Sequence, residues 1–208
     1  MMLAHRDEGL TVLNVSRETT ERLNDFVDLL KKWNKAINLV SKATLDHAWS
    51  RHILDSAQIF EYGSTVKRWV DIGSGGGLPG LVVAVLAAEK APEMCVTLVE
   101  SDQRKAEFLR EASRALNLTA CILSDRAETV GNLGADVVSA RALAPLGDLC
   151  ALAKRHLSEN GKAIFLKGRS CQAEILDARK DWKFELEAHP SKTDPASFVL
   201  VLNGIEHV

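Results

Sequence analysis

The sequence lacks the long apolar runs and the closely spaced cysteines that define several classes of protein. None of its 208 residues lies in an apolar run of about 18 residues, so we expect no membrane span. The first 16 residues carry charges and have no apolar core, which argues against a secretory signal. The four cysteines lie 26, 29 and 21 residues apart, which is typical of neither a metal site nor a disulfide framework. We therefore expect reduced thiols, no bound metal and a cytoplasmic location.

A strong overall charge is also missing. The net charge of −2 excludes a protein that coats nucleic acid through a uniformly basic surface. Basic residues outnumber acidic ones seven to three in residues 31–68 and six to two in residues 141–169, whereas acidic residues lead ten to six in residues 70–140. The two basic segments are compatible with an anionic substrate and equally with plain solvated faces.

The most informative segment is a cluster of glycines. Residues 70–72 form a short apolar run that predicts a strand, five glycines follow within residues 73–80, and the apolar residues 81–88 predict a buried helix. Glycine permits positive φ angles and a close approach of the backbone to a ligand. The helix N-terminus behind the loop offers free N–H groups and a positive dipole end. This arrangement predicts a cofactor-binding surface at the carboxyl edge of the first strand.

The spacing of the glycines narrows the choice of cofactor. Gly75, Gly77 and Gly80 match the dinucleotide pattern G-x-G-x-x-G literally, but the loop would then lie too far from its strand. The better register runs from Asp71 through Gly73 and Gly75 to Gly77, and it resembles the first motif of S-adenosylmethionine-dependent methyltransferases of the Rossmann-like class. We expect the Asp71 carboxylate at the strand end to bind the ammonium group of that cofactor. A glycine loop that only makes a tight turn is the alternative.

Two further strand ends are predicted to contact the same cofactor. Glu100 ends the β-branched run at 96–100 and lies 23 residues after Gly77, where a doubly wound sheet places the group that binds ribose hydroxyls. After the third strand, the backbone at Ala127 or the side chain of Glu128 is placed to bind the adenine amino group. Ordinary solvent-exposed or helix-start carboxylates are the alternatives for the two glutamates.

The order of apolar patterns predicts an α/β fold. Residues 16–60 have helical periodicity, and strands then alternate with helices, which indicates parallel βαβ units. We predict a Rossmann-like class I methyltransferase fold, with a mostly parallel twisted sheet, helices on both faces, and an N-terminal helical extension (1–66) packed on the core domain (67–208) as one unit. An antiparallel pair near 183–188 and 198–202 is expected at the sheet edge. The predicted strands are 70–72, 95–100, 120–124, 136–140 and 162–167, and the predicted helices are 79–89, 102–116 and 145–157.

Basic residues follow the fourth and fifth strands, at the edge where ligands bind. The guanidinium of Arg141 suits a carboxylate or a phosphate, and its alternative role is an ion pair with Asp136 or Asp148. Lys167 and Arg169 are placed to contact an RNA phosphate or are plain surface charges.

His52 has a nearby carboxylate on the second N-terminal helix. Helical spacing brings Asp55 beside both Arg51 and His52. A His–Asp pair is compatible with a general base close to an RNA substrate, but a histidine that is satisfied by its neighbour where the helix packs on the sheet is the more common case.

Two motifs of other methyl-transfer chemistries are missing. The loop after the fourth strand reads Arg141–Pro145 and is not the Asn/Asp-Pro-Pro-aromatic loop that methylation of an exocyclic amine uses. Cys150 lies in a helical pattern, and no cysteine is placed as a covalent nucleophile. The sequence therefore favours an acceptor with a free lone pair, such as nitrogen 7 of guanine, for which the enzyme supplies mainly proximity, alignment and a suitable field.

Five segments in order resemble a known family over about residues 23–169. The chain is similar to the bacterial methyltransferase G family of small-subunit (16S) ribosomal RNA, also called the glucose-inhibited division protein B family. One departure is Gly76, where that family often has proline. The segments are Trp33–Leu39, Arg51–Ser56, Asp71–Gly80, Arg126–Glu128 and Ser139–Ala142.

The resemblance implies methyl transfer from S-adenosylmethionine to nitrogen 7 of one guanosine in the decoding region of that RNA. It implies cofactor contacts from Gly73, Leu78, Ala127, Glu128 and Arg141. The expected partner is the small-subunit ribosomal RNA or the assembling 30S particle, and we expect a monomer. The alternatives are a methyltransferase of another RNA, a protein or a small molecule, a non-catalytic sensor of the cofactor, and, as a weaker option, a nicotinamide dehydrogenase.

Overall fold

The fold is built on one seven-stranded sheet. The computed structural model describes residues 13–208, and the N-terminal stretch without a predicted signal lies largely outside them. The strand order is β3-β2-β1-β4-β5-β7-β6, with parallel pairing from β3 to β5 and antiparallel pairing among β5, β7 and β6. The strands are β1 (Arg68–Ile72), β2 (Cys95–Val99), β3 (Cys121–Leu123), β4 (Ala135–Arg141), β5 (Leu157–Lys167), β6 (Trp182–Pro190) and β7 (Phe198–His207).

Within residues 13–208, five helices and one irregular helical segment surround the sheet. The helices are α1 (Arg17–Trp33), α2 (Gly80–Lys90), α3 (Gln103–Ala115), α4 (Leu146–His156) and α5 (Cys171–Ala178). The irregular segment, residues 42–62, joins a 3-10 helix (Lys42–His47), a π-helix (Trp49–Leu54), one α turn (Asp55–Ala57) and a second 3-10 helix (Gln58–Tyr62). Within the described residues, no helix is long and apolar enough to cross a membrane.

The first helix begins where the sequence predicts. The Ser16 side chain accepts a hydrogen bond from the amide of Thr19, which satisfies one of the free N–H groups of the first turn. Its apolar side chains recur at three- and four-residue steps, and Leu23, Phe26 and Leu30 are fully buried. The helix therefore packs this face on the domain, and its first residues are fixed by the cap.

One hydrophobic core joins the N-terminal helices to the sheet. Every residue of α2 from Gly80 to Ala87 is buried, because α2 lies between the sheet and the helices of the N-terminal part. Phe26, Ile53 and Trp69 belong to the same apolar cluster, although they come from α1, the irregular segment and β1. Side chains from residues 13–66 and from the sheet therefore pack in one apolar cluster. A second cluster lies under α4 and α5 on the opposite face.

Three elements differ from the sequence-based expectations. The strand β5 begins at Leu157, although the apolar pattern is clear only from residue 162, because its first residues are polar and partly exposed. The short helix α5 was not predicted, since eight residues with few buried positions give little periodicity. The segment 42–62 is not one amphipathic α-helix. The antiparallel pair at the sheet edge is confirmed, and both of its strands are longer than predicted.

Candidate active site

The glycine loop after β1 needs glycine at three positions. Gly73, Gly75 and Gly77 have φ angles of 65°, 52° and 78°, which residues with a Cβ rarely adopt. The Ser74 amide donates to the carbonyl oxygen of Val99 in β2, over 3.1 Å. The loop is thereby tied to the neighbouring strand, and its backbone faces the carboxyl edge of the sheet.

Asp71 lies beneath this loop rather than at its surface. Its carboxylate accepts hydrogen bonds from the Ser139 hydroxyl (2.7 Å) and from the Gly80 amide (3.2 Å), and the residue has no exposed surface. Burial raises the pKa of Asp71 to about 6, against the hydrogen bonds that lower it. The structure therefore differs from the expectation that this carboxylate meets a ligand ammonium group. It joins β1, β4 and the start of α2.

Glu100 holds the loop from the second strand. One of its carboxylate oxygens accepts from the Gly75 amide and the other from the Asp102 amide, both over 2.8 Å. The residue is 6% exposed. Each oxygen retains a second lone pair, so Glu100 can accept a further hydrogen bond while it keeps the loop in place.

A cavity opens where these strand ends meet. This cavity, the glycine-loop cavity, has a volume of about 430 Å³ and is lined by Gly73, Val99, Ala127, Glu128 and Leu143, among others. The amide N–H groups of Ala127 and Glu128 have no acceptor within the part of the chain that the structure describes. They are therefore available to a ligand.

The buried His156 fixes one side of this cavity. Its Nε2 atom lies 2.8 Å from the carbonyl oxygen of Ala127, and a carbonyl can only accept, so Nε2 carries the proton. His156 has no exposed surface. Nothing in the sequence pattern indicated this contact, because His156 ends α4 and lies 29 residues from its partner.

Not every residue of the predicted cofactor set lines this cavity. Leu78 and Gly77 are buried under the loop, and the Leu78 side chain belongs to the hydrophobic core. Leu143 is 40% exposed and stands over Gly73: a Cβ on Gly73 would come 2.5 Å from a Leu143 methyl group. Ala142, just before it, has a φ of 52° and turns the chain after β4.

The segment after α1 packs directly on the glycine loop. The Asn34 side-chain oxygen accepts from the amides of Leu39 (2.8 Å) and Val40 (2.9 Å) and so closes the turn between them. A Cβ on Gly76 would come 3.2 Å from the Leu39 carbonyl oxygen. Residues 34–40 therefore form part of the wall of the site, a role that the sequence pattern did not reveal.

Arg141 is held by the irregular helical segment. Its Nη1 atom donates to the Asp55 carboxylate (3.2 Å) and to the Arg51 carbonyl oxygen (3.3 Å), and its Nη2 atom lies 3.3 Å from Nδ1 of His52. The ion pair with Asp136 or Asp148 that the sequence left open is not present: Asp136 accepts from backbone amides at the start of β1. Burial lowers the pKa of Arg141, while Asp55 counteracts that effect.

The contacts of His52 define its protonation. Arg141 can only donate, so Nδ1 of His52 accepts, and Nε2 carries the proton and donates to the Thr44 hydroxyl over 2.8 Å. Burial and the Arg141 charge lower the pKa of His52 to about 4. Asp55 pairs with Arg141 and not with His52, so these contacts fit the alternative of a histidine that is satisfied by its neighbours.

Asp55 also connects the site to the C-terminal tail. The other oxygen of its carboxylate accepts from the Thr193 hydroxyl (2.9 Å) and from the Gln58 amide (3.0 Å). The nearby Arg51 donates to the Asp194 carboxylate over 3.2 Å. The loop between β6 and β7 is therefore part of the site, although no pattern in the sequence indicated this role.

Lys167 and Arg169 are close in sequence but differ in environment. Lys167 is 8% exposed, and its ammonium group contacts the Glu174 carboxylate and the Ala144 carbonyl oxygen. Arg169 is exposed. Lys167 lines a second cavity, the Lys167 cavity, of about 470 Å³, which shares Leu143 and Ala144 with the glycine-loop cavity. No cluster of residues that could hold a metal ion is found among residues 13–208.

The strand order and the loop after β1 define a Rossmann-like class I methyltransferase. A putative O-methyltransferase of Nostoc punctiforme has a similar fold, with a TM-score of 0.59 and 16% identity over 92% of this chain and 71% of that one. The TYW2 protein of M. jannaschii, solved in complex with AdoMet, has a TM-score of 0.54 and 15% identity over 83% of this chain and 80% of its own.

The sequence identifies the particular family. A family model described as rRNA small subunit methyltransferase G matches residues 19–195. Relatives named ribosomal RNA small subunit methyltransferase G are 52% identical in Cereibacter sphaeroides (98% of this chain, 99% of theirs) and 50% identical in a Ruegeria strain (96% and 98%). A Brucella canis relative of that name is 50% identical over 92% of this chain and 90% of its own. The chain therefore belongs to the rRNA small subunit methyltransferase G family.

Proposed function

We propose that this protein transfers the methyl group of S-adenosylmethionine to nitrogen 7 of a guanosine in small-subunit ribosomal RNA. The main support for this proposal is the pair of cavities at the carboxyl edge of the sheet, which share a wall at Leu143 and Ala144. One cavity has the glycine loop and free amides that suit a nucleoside cofactor, and the other offers an adjacent space for an acceptor. Membership of the family supports the class of RNA.

The residues that line the glycine-loop cavity, together with Gly75 and Glu100 beside it, suit this cofactor. The free amides of Ala127 and Glu128 suit the acceptor nitrogens of an adenine ring, and the spare lone pairs of Glu100 suit ribose hydroxyls. The backbone of Gly73 and Gly75 is only partly covered, which leaves it open to the amino-acid end. When bound, the cofactor supplies a methyl group on a positively charged sulfur, which needs no metal or redox partner.

The reaction that we propose needs no general base. The lone pair on nitrogen 7 forms the new C–N bond as the C–S bond breaks, the electron pair stays on sulfur, and the positive charge passes to the purine. No proton leaves in this step. This agrees with His52, whose Nδ1 lone pair is already used by Arg141 and whose pKa is held at about 4. The chain then contributes alignment, exclusion of water and charge placement.

We also propose that one copy of the chain suffices and that it acts in the cytoplasm on the RNA or on the assembling 30S particle. The support for a monomer is that the groups of the site come from a single chain: the glycine loop, Arg141, the irregular segment and the β6–β7 loop. Sedimentation with and without RNA measures this directly, and a dimer that is required for activity would contradict it.

Labelled cofactor and small subunits from a strain that lacks this methylation test the proposal. We expect one label per particle, on nitrogen 7 of one guanosine, which chain cleavage specific for 7-methylguanosine would locate. The control is the Gly73→Val protein, in which we expect no label. Label on another base, another RNA or a protein would favour the other methyltransferase hypotheses. Cofactor binding by calorimetry without transfer to any substrate would favour a sensor.

A further inference from the structure

Lys167 has an unused hydrogen-bond donor. A lysine ammonium group has three N–H donors. One donates to the Ala144 carbonyl oxygen over 2.8 Å and one pairs with the Glu174 carboxylate. The third has no acceptor within the described part of the chain, although the residue is more than nine-tenths buried. Because Lys167 lines a cavity, this donor is available to a bound group.

The free donor belongs to a cavity beside the cofactor site. Lys167 ends β5 and lines the Lys167 cavity together with Arg141, Asp55 and Ser197. This space and the glycine-loop cavity are adjacent, because both are lined by Leu143 and Ala144. A methyl acceptor must lie within bonding reach of the cofactor, so a group bound here occupies the acceptor position.

The charges around Lys167 select a neutral partner. The Lys167 ammonium is balanced by Glu174, and the Arg141 guanidinium on the same cavity is balanced by Asp55. A phosphate would add negative charge beside two carboxylates whose own partners are already engaged. A carbonyl oxygen accepts a hydrogen bond and brings no net charge.

We propose that Lys167 donates its third hydrogen bond to the O6 carbonyl oxygen of the target base, which makes the Lys167 cavity a 6-oxopurine subsite. This inference rests on the proposed guanine methylation. In guanine, O6 lies next to nitrogen 7, so a donor on O6 fixes the edge that carries the attacking lone pair. Adenine presents an amino group there, which cannot satisfy the ammonium. Lys167 therefore distinguishes guanine from adenine by a contact, not by shape alone.

A substrate–enzyme double-mutant cycle tests this contact. The target guanosine is compared in reconstituted small-subunit particles with 2-aminopurine, in which hydrogen replaces O6, and with inosine, which keeps O6 and lacks the 2-amino group. For the wild-type protein we expect kcat/KM for 2-aminopurine to fall about 10- to 100-fold below that for both guanosine and inosine, the scale of a hydrogen bond to a charged group. For Lys167→Met we expect this penalty to shrink by the same factor, because the partner of O6 is gone.

Two further variants keep the result unambiguous. The Lys167→Met/Glu174→Gln protein removes both charges, so it avoids an unpaired carboxylate if the single variant unfolds, and the same loss of discrimination is expected. Arg169→Ala is the exposed neighbour, and it should keep the full preference for inosine.

Two outcomes would overturn the inference. One is an equal 2-aminopurine penalty in the wild type and in both Lys167 variants. The other is a fall in kcat/KM in the Lys167 variants that is equal for guanosine, inosine and 2-aminopurine, together with a salt dependence of RNA binding that is lower by about one phosphate contact. Absence of any label on guanosine with the wild type would reject the proposed function itself, and this subsite with it.

Discussion

The two sides of the loop at 141–145 are built differently. On the glycine-loop side, the groups open to a ligand are mostly backbone: the partly exposed Gly73 and Gly75 and the amides at 127 and 128. On the Lys167 side, they are side chains from four distant segments, namely 51–55, 141, 167–174 and 193–197. A backbone site is encoded in short contiguous motifs, whereas a side-chain network is created only when distant segments fold together.

The two sides also shift the pKa values of their buried titratable groups in opposite directions. Burial raises the pKa of Asp71 under the glycine loop to about 6, and burial with the Arg141 charge lowers that of His52 to about 4. In each case the protein favours the neutral form. The first group joins strands beneath a ligand site, and the second orients a guanidinium within one.

The largest effect is expected when a side chain is introduced at Gly73, on the glycine-loop side. In Gly73→Val, a β-branched residue must adopt a φ of 65°, and its Cβ meets Leu143. We expect cofactor affinity to fall by about 100-fold or more, measured by calorimetry. Gly131→Ala is the matched control, because that Cβ meets nothing within 4 Å. A Gly73→Val protein with unchanged affinity would show that the ligand does not approach this backbone.

The same contrast explains what the sequence alone could predict. The parallel sheet, the glycine loop and the strand-end position of Glu100 follow from periodicity and spacing, which are local. The partner of Arg141 could not be predicted. Asp55 lies 86 residues away, and no local sequence pattern distinguishes it from Asp136 or Asp148 as the partner.

Burial was the other quantity that the sequence could not supply. Asp71 and Lys167 both stand at strand ends, where an exposed charge and a buried one have the same sequence pattern. Only the packing of Ser139 and Gly80 on Asp71, and of Ala144 and Glu174 on Lys167, distinguishes them. The role of residues 34–40 could not be predicted for the same reason, because the sequence of a segment does not show which surface the segment packs on.

A pH titration of stability sharpens the contrast between Asp71 and His52. The folded pKa of His52 (about 4) lies below its ordinary value of 6.5, so the unfolded chain binds the extra proton and stability falls as pH drops from 6.5 to 4. The folded pKa of Asp71 (about 6) lies above 3.8, so its contribution rises as pH drops from 6 to 3.8. The two contributions therefore oppose each other over this pH range in the wild type.

Single variants separate the two contributions. His52→Asn should gain stability, relative to the wild type, as pH falls from 6.5 to 4, and Asp71→Asn should lose it over nearly the same range. Urea unfolding at half-unit pH steps measures both slopes. Parallel curves for the two variants would show that these groups titrate at their ordinary values.

A smaller effect is expected from the ion pair between Asp55 and Arg141 on the Lys167 side. Asp55→Asn removes the charge partner of Arg141, and both side chains are 17% exposed. We expect a loss of about 2 kcal/mol in the free energy of unfolding, less than for a fully buried pair. We also expect a fall in kcat, because Arg141 loses its orientation.

Asp136→Asn is the matched control for Asp55. Its carboxylate accepts from the amides of Lys67 and Arg68 at the far end of β1, and an asparagine oxygen can replace it there. Equal losses of stability and kcat in the two variants would argue against a specific role of the Asp55–Arg141 pair.

The smallest effect is expected at the rim of the side-chain half. Arg169 is exposed, so Arg169→Ala should leave folding and cofactor affinity unchanged and weaken RNA binding only a few-fold. If its guanidinium contacts a phosphate, the slope of log K against log salt should become shallower by about one unit. Binding is measured by filter retention from low to moderate salt. An unchanged slope would place Arg169 outside the RNA surface and restrict the contacts of this half to the target base.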